Sequence, residues 1–116
     1  MAIAGGIDRA TPGAVDEAAA GGDEWALALW AELGPLLGVA LANAVALLNS
    51  GVLILGGGML SRTPVLREHA LAALTVATPV PALEALSVRD PLLGDDAGLV
   101  GASLLAEAGV SIIPAE

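Results

Sequence analysis

The chain of 116 residues has no cysteine. Disulfides, thiol catalysis and cysteine-ligated zinc therefore lie outside its chemistry. It has no lysine either, and its four basic residues are Arg9, Arg62, Arg67 and Arg89. Against 13 acidic residues these leave a formal net charge of −9. A partner of a nucleic acid needs a basic surface, so DNA or RNA recognition by this chain is not expected. Nucleotide binding stays open, because backbone N–H groups and helix N-termini hold phosphate without a basic side chain. Aromatic residues make up 2% of a chain that is 56% hydrophobic. The core must then be built from Ala, Leu, Val and Ile, and small residues imply close contact between elements. The one histidine, His69, allows no His-x-x-x-His pair. A lone imidazole makes a poor metal site, so His69 reads as a surface or half-buried helical residue.

Charge is missing altogether from Leu33 to Ser61. That run is long enough to cross a bilayer. It is interrupted by Pro35, Asn43, Asn49, Ser50 and six glycines, and it has no cluster of Arg or Lys at its flanks and no aromatic belts. A soluble reading, a helix to about Leu48 and a strand from Val52, places every residue, and no membrane partner is expected. The opening MAIAGGIDRATPG has neither the basic start nor the apolar core of a signal peptide, so a cytoplasmic protein is expected.

What is present centres on Val52-Leu53-Ile54-Leu55-Gly56-Gly57-Gly58. A short apolar run bounded by glycine suggests a strand buried on both faces of an α/β layer. Three glycines after it give a turn with access to positive φ and no Cβ to obstruct a ligand. Two generic nucleotide motifs fail. The P-loop needs a lysine, and the G-x-G-x-x-G fingerprint is broken because Gly56-Gly57-Gly58-Met59-Leu60 is followed by Ser61.

Before this centre, residues 1–12 read as an irregular lead-in, with Met1-Ala2-Ile3-Ala4 as a possible strand tail. Thr11-Pro12 signals a helix start, and Gly21-Gly22 ends that helix near Ala20. Asp23 caps the next helix. Its inner face is expected at Trp25, Leu29, Leu33, Leu36, Leu37, Ala40, Leu41, Ala44, Val45 and Leu48. Gly34-Pro35 should kink or break it. Asn43 reads as a polar side chain bonded to backbone within the packing layer, or as a neighbour of a ligand. After the glycines, Thr63-Pro64 starts a helix to about Ala77, with Leu66, Ala70 and Leu74 inward. Thr78-Pro79-Val80-Pro81 breaks the chain, and Leu86 to Arg89 forms a second strand. Asp95 or Asp96 caps a last helix, Ala97 to about Glu107. Gly98 and Gly101 share one side of it and would let it sit against the sheet or glycine turn. Residues 109–116 read as a tail.

The arrangement resembles the C-terminal half of the ROK family of repressors and sugar kinases, which includes many bacterial glucokinases. Ala18-Ala19-Ala20-Gly21-Gly22-Asp23 with Ala26 is similar to its Ala-rich helix junction. Leu37 to Asn43 with Leu47-Leu48-Asn49 is similar to its central helix. Val52 to Gly58 looks like its strand and glycine loop, and Gly94 to Ala102 like its final helix. The likeness spans residues 13 to 108, the expected lobe. It implies an α/β fold, the C-terminal lobe of an actin-like, ribonuclease-H-like ATPase in α-α-β-α-β-α order. ATP with magnesium would lie between two lobes, and a sugar hydroxyl would accept the phosphoryl group. On this resemblance Gly56, Gly57 and Gly58 would line the nucleotide site, while Asn43, Asp95 and Asp96 stay unassigned.

The chain also departs from the family. Asn49 is followed by Ser50-Gly51 where the family has Asn-Pro. The N-terminal phosphate loop, the catalytic aspartate, the sugar-binding Glu-x-Gly-His segment and the cysteine-rich zinc motif have no counterpart. Phosphoryl transfer needs positioned phosphates, metal and acceptor together. The expectation is a fragment or degenerate relative of a sugar kinase that is silent alone, meets sugar only with a missing N-terminal half, and holds no zinc. Two alternatives remain: part of a ROK-type transcriptional regulator, and a stand-alone module that self-associates through the apolar helix 24–48.

Overall fold

The computed structural model describes residues 11–109. The strand tail expected at Met1 to Ala4 and the tail beyond Gly109 lie outside the described residues. Within them run α1 (Pro12–Ala20), α2 (Glu24–Leu48), β1 (Val52–Ile54), α3 (Gly58–Ser61), α4 (Pro64–Ala77), α5 (Val80–Ala85), β2 (Ser87–Arg89), a 3-10 turn (Gly94–Asp96) and α6 (Ala97–Glu107). The protein is mixed α/β, mostly helical, with a small sheet in which β1 and β2 are parallel. Two short helices, α3 and α5, are additions to the sequence reading.

Local chemistry explains the helix ends. Thr11 Oγ1 accepts a hydrogen bond from the Ala14 N–H at 3.2 Å, and Pro12 follows at the first helical position. Asp23 Oδ1 accepts from the Ala26 N–H at 2.9 Å. Asn49 ends α2 in the left-handed region at φ 50, which Asn tolerates better than other non-glycine residues.

The start of α4 differs from expectation. Thr63 occupies the cap position, but its hydroxyl makes no cap bond. It donates instead to the Met59 carbonyl at 2.9 Å. The cap comes from α1: the Asp16 carboxylate accepts from the Val65 N–H at 3.1 Å and the Leu66 N–H at 2.9 Å. Asp16 is only 2% exposed. A buried charge is tolerable where hydrogen bonds compensate it, and here two free N–H groups at the positive end of a helix dipole do so.

Helix α2 corrects the sequence reading twice. It runs through Pro35 as one helix rather than breaking there. Pro35 and Ala31, whose carbonyl loses its partner, are both exposed, so water can replace the missing bond. The buried face is also rotated by about one residue. Its members are Ala26, Trp30, Gly34, Gly38, Ala42 and Val45, while Leu33, Leu36 and Leu48 are exposed. A helix apolar all round gives periodicity little to discriminate. What selects the face is size: α2 packs on α4 at separations only glycine and alanine permit. A Cβ on Gly34 would lie 2.4 Å from the Cβ of His69, and one on Gly38 would lie 2.3 Å from the Ala70 carbonyl oxygen. Helix α4 buries Leu66, Ala70 and Leu74 as its periodicity predicts. His69 is half-buried, its Nδ1 2.9 Å from the Val65 carbonyl. By length and composition α2 could cross a membrane; in the fold its small-residue face is used against α4.

Two further expectations fail because less sheet is present than they assume. β1 is not buried on both faces: Val52 and Ile54 are exposed and Leu53 is half-buried. A central parallel strand is covered by neighbours and helices, whereas β1 has β2 as its one partner in the described sheet. Likewise α6 does not sit against the sheet or glycine turn. None of its residues is buried, and Cβ atoms built on Gly98 and Gly101 meet open space. Gly101→Ala should therefore strengthen α6 by about 1 kcal/mol, the glycine-to-alanine difference in a helix interior. Amide exchange through α6 should slow a few-fold; unchanged or faster exchange would mean that Gly101 serves a contact.

Candidate functional site

Because β1 and β2 are parallel with Ile54 opposite Arg89, both strands end at the same edge. The ladder extends one step further, the Leu55 N–H donating to the Arg89 carbonyl at 3.1 Å. The chain then leaves as two turns, Gly56-Gly57-Gly58 and Asp90-Pro91. Such an edge, beyond the carboxyl ends of parallel strands, is where open α/β folds hold ligands. A cavity of about 300 Å³ lies there. Leu55, Gly56 and Gly57 form one wall, Asp90 and Pro91 another, Pro64 and Arg67 of α4 a third, and Gly94 and Asp95 the rim.

The glycines are not equivalent. Gly56 presses on the neighbouring turn, where a Cβ would come 2.9 Å from Pro91 Cγ. Gly57 stands at φ 100, ψ 149, a conformation confined almost wholly to glycine. No atom lies within 4 Å of the Cβ it lacks, so the constraint is backbone conformation and not space. Gly58 faces elsewhere, onto an adjoining cleft of about 500 Å³ with Thr11, Pro12, Gly13, Met59 and Arg62. The structure thus brings Gly56 and Gly57 to one cavity and leaves Gly58 outside it.

The polar groups of the cavity are Arg67, Asp90, Asp95 and Ser61. Arg67 Nη1 donates to Asp90 Oδ1 as an ion pair. The Ser61 hydroxyl lies 3.1 Å from the Gly58 carbonyl and 3.4 Å from Asp95 Oδ1, and its single proton serves one at a time. One cation and two carboxylates therefore face the space, and the cation is already paired. A phosphate entering it would depend on backbone N–H groups and on a cation brought with it. The Asp95 carboxylate and the Ser61 hydroxyl are hard oxygen donors of the kind magnesium shares with phosphates. Among the described residues no group of three His, Cys, Asp or Glu could hold a metal ion by itself.

Arg67, Asp90 and Ser61 are residues that motif reading misses. They come from α4, the end of β2 and α3, and meet only once the parallel pairing forms. Of the residues considered from sequence, Asp95 lines the cavity while Asp96 precedes α6 without a side-chain cap bond. Asn43 is exposed on α2; it is neither bonded within a packing layer nor near the cavity, because the face that packs on α4 is the opposite one.

A parallel α/β unit with a glycine turn and a cavity at its strand ends has the arrangement in which open α/β folds hold ligands. Comparison gives the family: the ROK family model matches residues 6–108, and the chain belongs to that family. The crystal structure of a protein from Cytophaga hutchinsonii ATCC 33406, provisionally described as a sugar kinase, is similar at 30% identity and a TM-score of 0.72. The likeness covers 87% of this chain and 34% of that one, so the chain spans about a third of the length of this relative. No curated protein matches.

Proposed function

We propose that the chain is the nucleotide-holding lobe of an ATP-dependent sugar kinase, a glucokinase-like transferase of the actin-like ATPase fold. The observation that carries this reading is the Gly57 turn, a glycine-only backbone opening onto the cavity beyond the ends of β1 and β2. Gly56 and Gly57 would lie against the nucleotide, and Gly58 would border it from the adjoining cleft. Asp95 and Ser61 would face magnesium, whose charge offsets the carboxylates that otherwise repel phosphate. When bound, ATP supplies the phosphoryl group. The chain's own residues hold and orient it, and Arg67 keeps Asp90 neutralised beside it. The acceptor sugar and the group that takes its proton belong to a partner lobe, since phosphoryl transfer requires all of them in place.

Calorimetric titration with magnesium and ATP tests this. Saturable binding to the full chain is expected, without ATP turnover when glucose is added. Gly57→Ala should weaken binding about tenfold or more, because an alanine held at that φ and ψ costs about 1–3 kcal/mol or shifts the turn. Absence of binding by the wild-type chain would refute the nucleotide reading, and glucose-dependent turnover would refute its silence in isolation.

A further inference from the structure

The two carboxylates of the cavity are not alike. Asp95 has only the long contact with the Ser61 hydroxyl. Asp90 follows β2 directly, and Arg67 reaches it from α4 as an ion pair. That bond engages Oδ1; among the described residues no hydrogen bond engages Oδ2. The Asp90 side chain is 71% exposed, so it stands open to a ligand. We propose that Asp90 is the ribose-binding residue of the cavity: its carboxylate accepts from the vicinal 2′- and 3′-hydroxyls of the nucleotide, and Arg67 orients it. This rests on the nucleotide reading above and adds which part of the ligand the cavity holds.

The order of elements supports it. In dinucleotide-binding folds a glycine turn closes one strand, and an acidic residue about 20 positions on accepts a ribose hydroxyl. Residues 74–81, at that distance from the glycine turn, hold no acidic residue. The fold supplies one from further along the chain. β1 and β2 pair in parallel with Ile54 opposite Arg89, so Asp90 emerges beside the glycine turn, and both line one cavity. Chemistry separates the ribose from the rest of the nucleotide. An ionised carboxylate only accepts hydrogen bonds. Phosphate oxygens offer it no proton, whereas two vicinal hydroxyls offer two, each in a charge-assisted bond. Magnesium is better served by Asp95, since the Arg67 charge beside Asp90 repels a second cation. The cavity, about 300 Å³, is at the small end of ligand pockets and takes part of a nucleotide. A free sugar presents the same hydroxyl pair. The ribose is favoured because the space around Gly57, free of atoms where its Cβ would be, leaves room for the phosphates joined to it. Asp90 is largely exposed, so a missing hydroxyl leaves it hydrated rather than stranded. Discrimination of about tenfold follows, far short of the roughly 10⁴-fold of a buried site.

Calorimetric titration of the full chain with magnesium and either ATP or 2′,3′-dideoxy-ATP tests this, because the two nucleotides share base and phosphates. ATP should bind about tenfold more tightly. Asp90→Ala, at an exposed position, should leave the circular dichroism unchanged and equalise the two affinities, whatever the freed Arg67 does to both. A merely structural or electrostatic role for Asp90 would shift both nucleotides alike and keep their ratio. Equal binding of the two by the wild type, or an unchanged ratio in Asp90→Ala, would overturn the proposal and leave the nucleotide reading standing. Binding of neither would overturn both. Saturable binding of glucose that Asp90→Ala abolishes would assign the carboxylate to the acceptor sugar and overturn the proposal as well.

Discussion

Replacing Gly38 by alanine is expected to destabilise the protein by about 1–2 kcal/mol, although alanine is the better helix former. The new Cβ would lie 2.3 Å from the Ala70 carbonyl oxygen, 2.6 Å from the Ala73 Cβ and 2.9 Å from the Leu74 amide nitrogen. Two of these are backbone atoms within α4, so no side-chain rotation relieves the clash. The helices must separate, and Ala42 and Val45, both almost fully buried, loosen with them. Overpacking of this kind costs about 1–3 kcal/mol and occasionally more. The intrinsic preference for alanine returns about 1 kcal/mol. The clash wins because it reaches backbone on a neighbouring helix. Gly38→Val should leave little folded protein, since whole domains are stable by about 5–15 kcal/mol. Urea titration followed by circular dichroism measures both, and a Gly38→Ala midpoint equal to or above wild type would show that α2 and α4 are further apart than described.

The same glycine explains why one part of the fold was legible in the sequence and another was not. Helix α4 carries Arg67, Glu68, His69 and Thr75 among its apolar positions, and its inward residues Leu66, Ala70 and Leu74 follow from spacing. In α2 nearly every position is apolar, so spacing selects leucines, the larger residues. The structure selects Gly34, Gly38 and Ala42 instead, because the contact with α4 is close. The glycine turn shows a similar division. Its place after β1 is legible because the apolar run VLIL ends at three glycines, the residues that admit a turn of positive φ. The rest of the cavity is not, because Arg67 on α4 and Asp90 after β2 are joined by an ion pair between elements far apart in the chain. The composition of β1 suggests a buried strand, but composition reports what a strand would bury without saying whether enough sheet is present to bury it.

Asp16 is the residue for which sequence carried no signal, and its removal should have the largest effect of any polar substitution. It lies in the middle of α1 among alanines, where an acidic residue ordinarily faces solvent. Here it turns inward beside Val15 and Ala19 of the core and holds the first turn of α4 through both oxygens. The Thr63 hydroxyl is turned to the Met59 carbonyl and makes no cap bond, so no local acceptor replaces the cap. Asp16→Ala would leave the Leu66 N–H buried without a partner. Each charge-assisted bond contributes about 1.5–3 kcal/mol, and a buried donor left unsatisfied carries its own desolvation penalty. A loss of about 3–4 kcal/mol is expected. Asp16→Asn keeps one acceptor but turns an amide N–H toward a backbone N–H, and should fall about midway. The order wild type, Asn, Ala in urea midpoints tests the geometry, because a merely space-filling role would rank the isosteric Asn beside wild type. The loss should also reach the cavity. α4 contributes Pro64 and Arg67 to its wall, and both stand within one turn of the capped residues. A frayed first turn would free Arg67 from Asp90 and leave that carboxylate uncompensated. Nucleotide binding by Asp16→Asn should therefore weaken under conditions where the protein remains folded; unchanged binding would show that Arg67 is positioned without the cap.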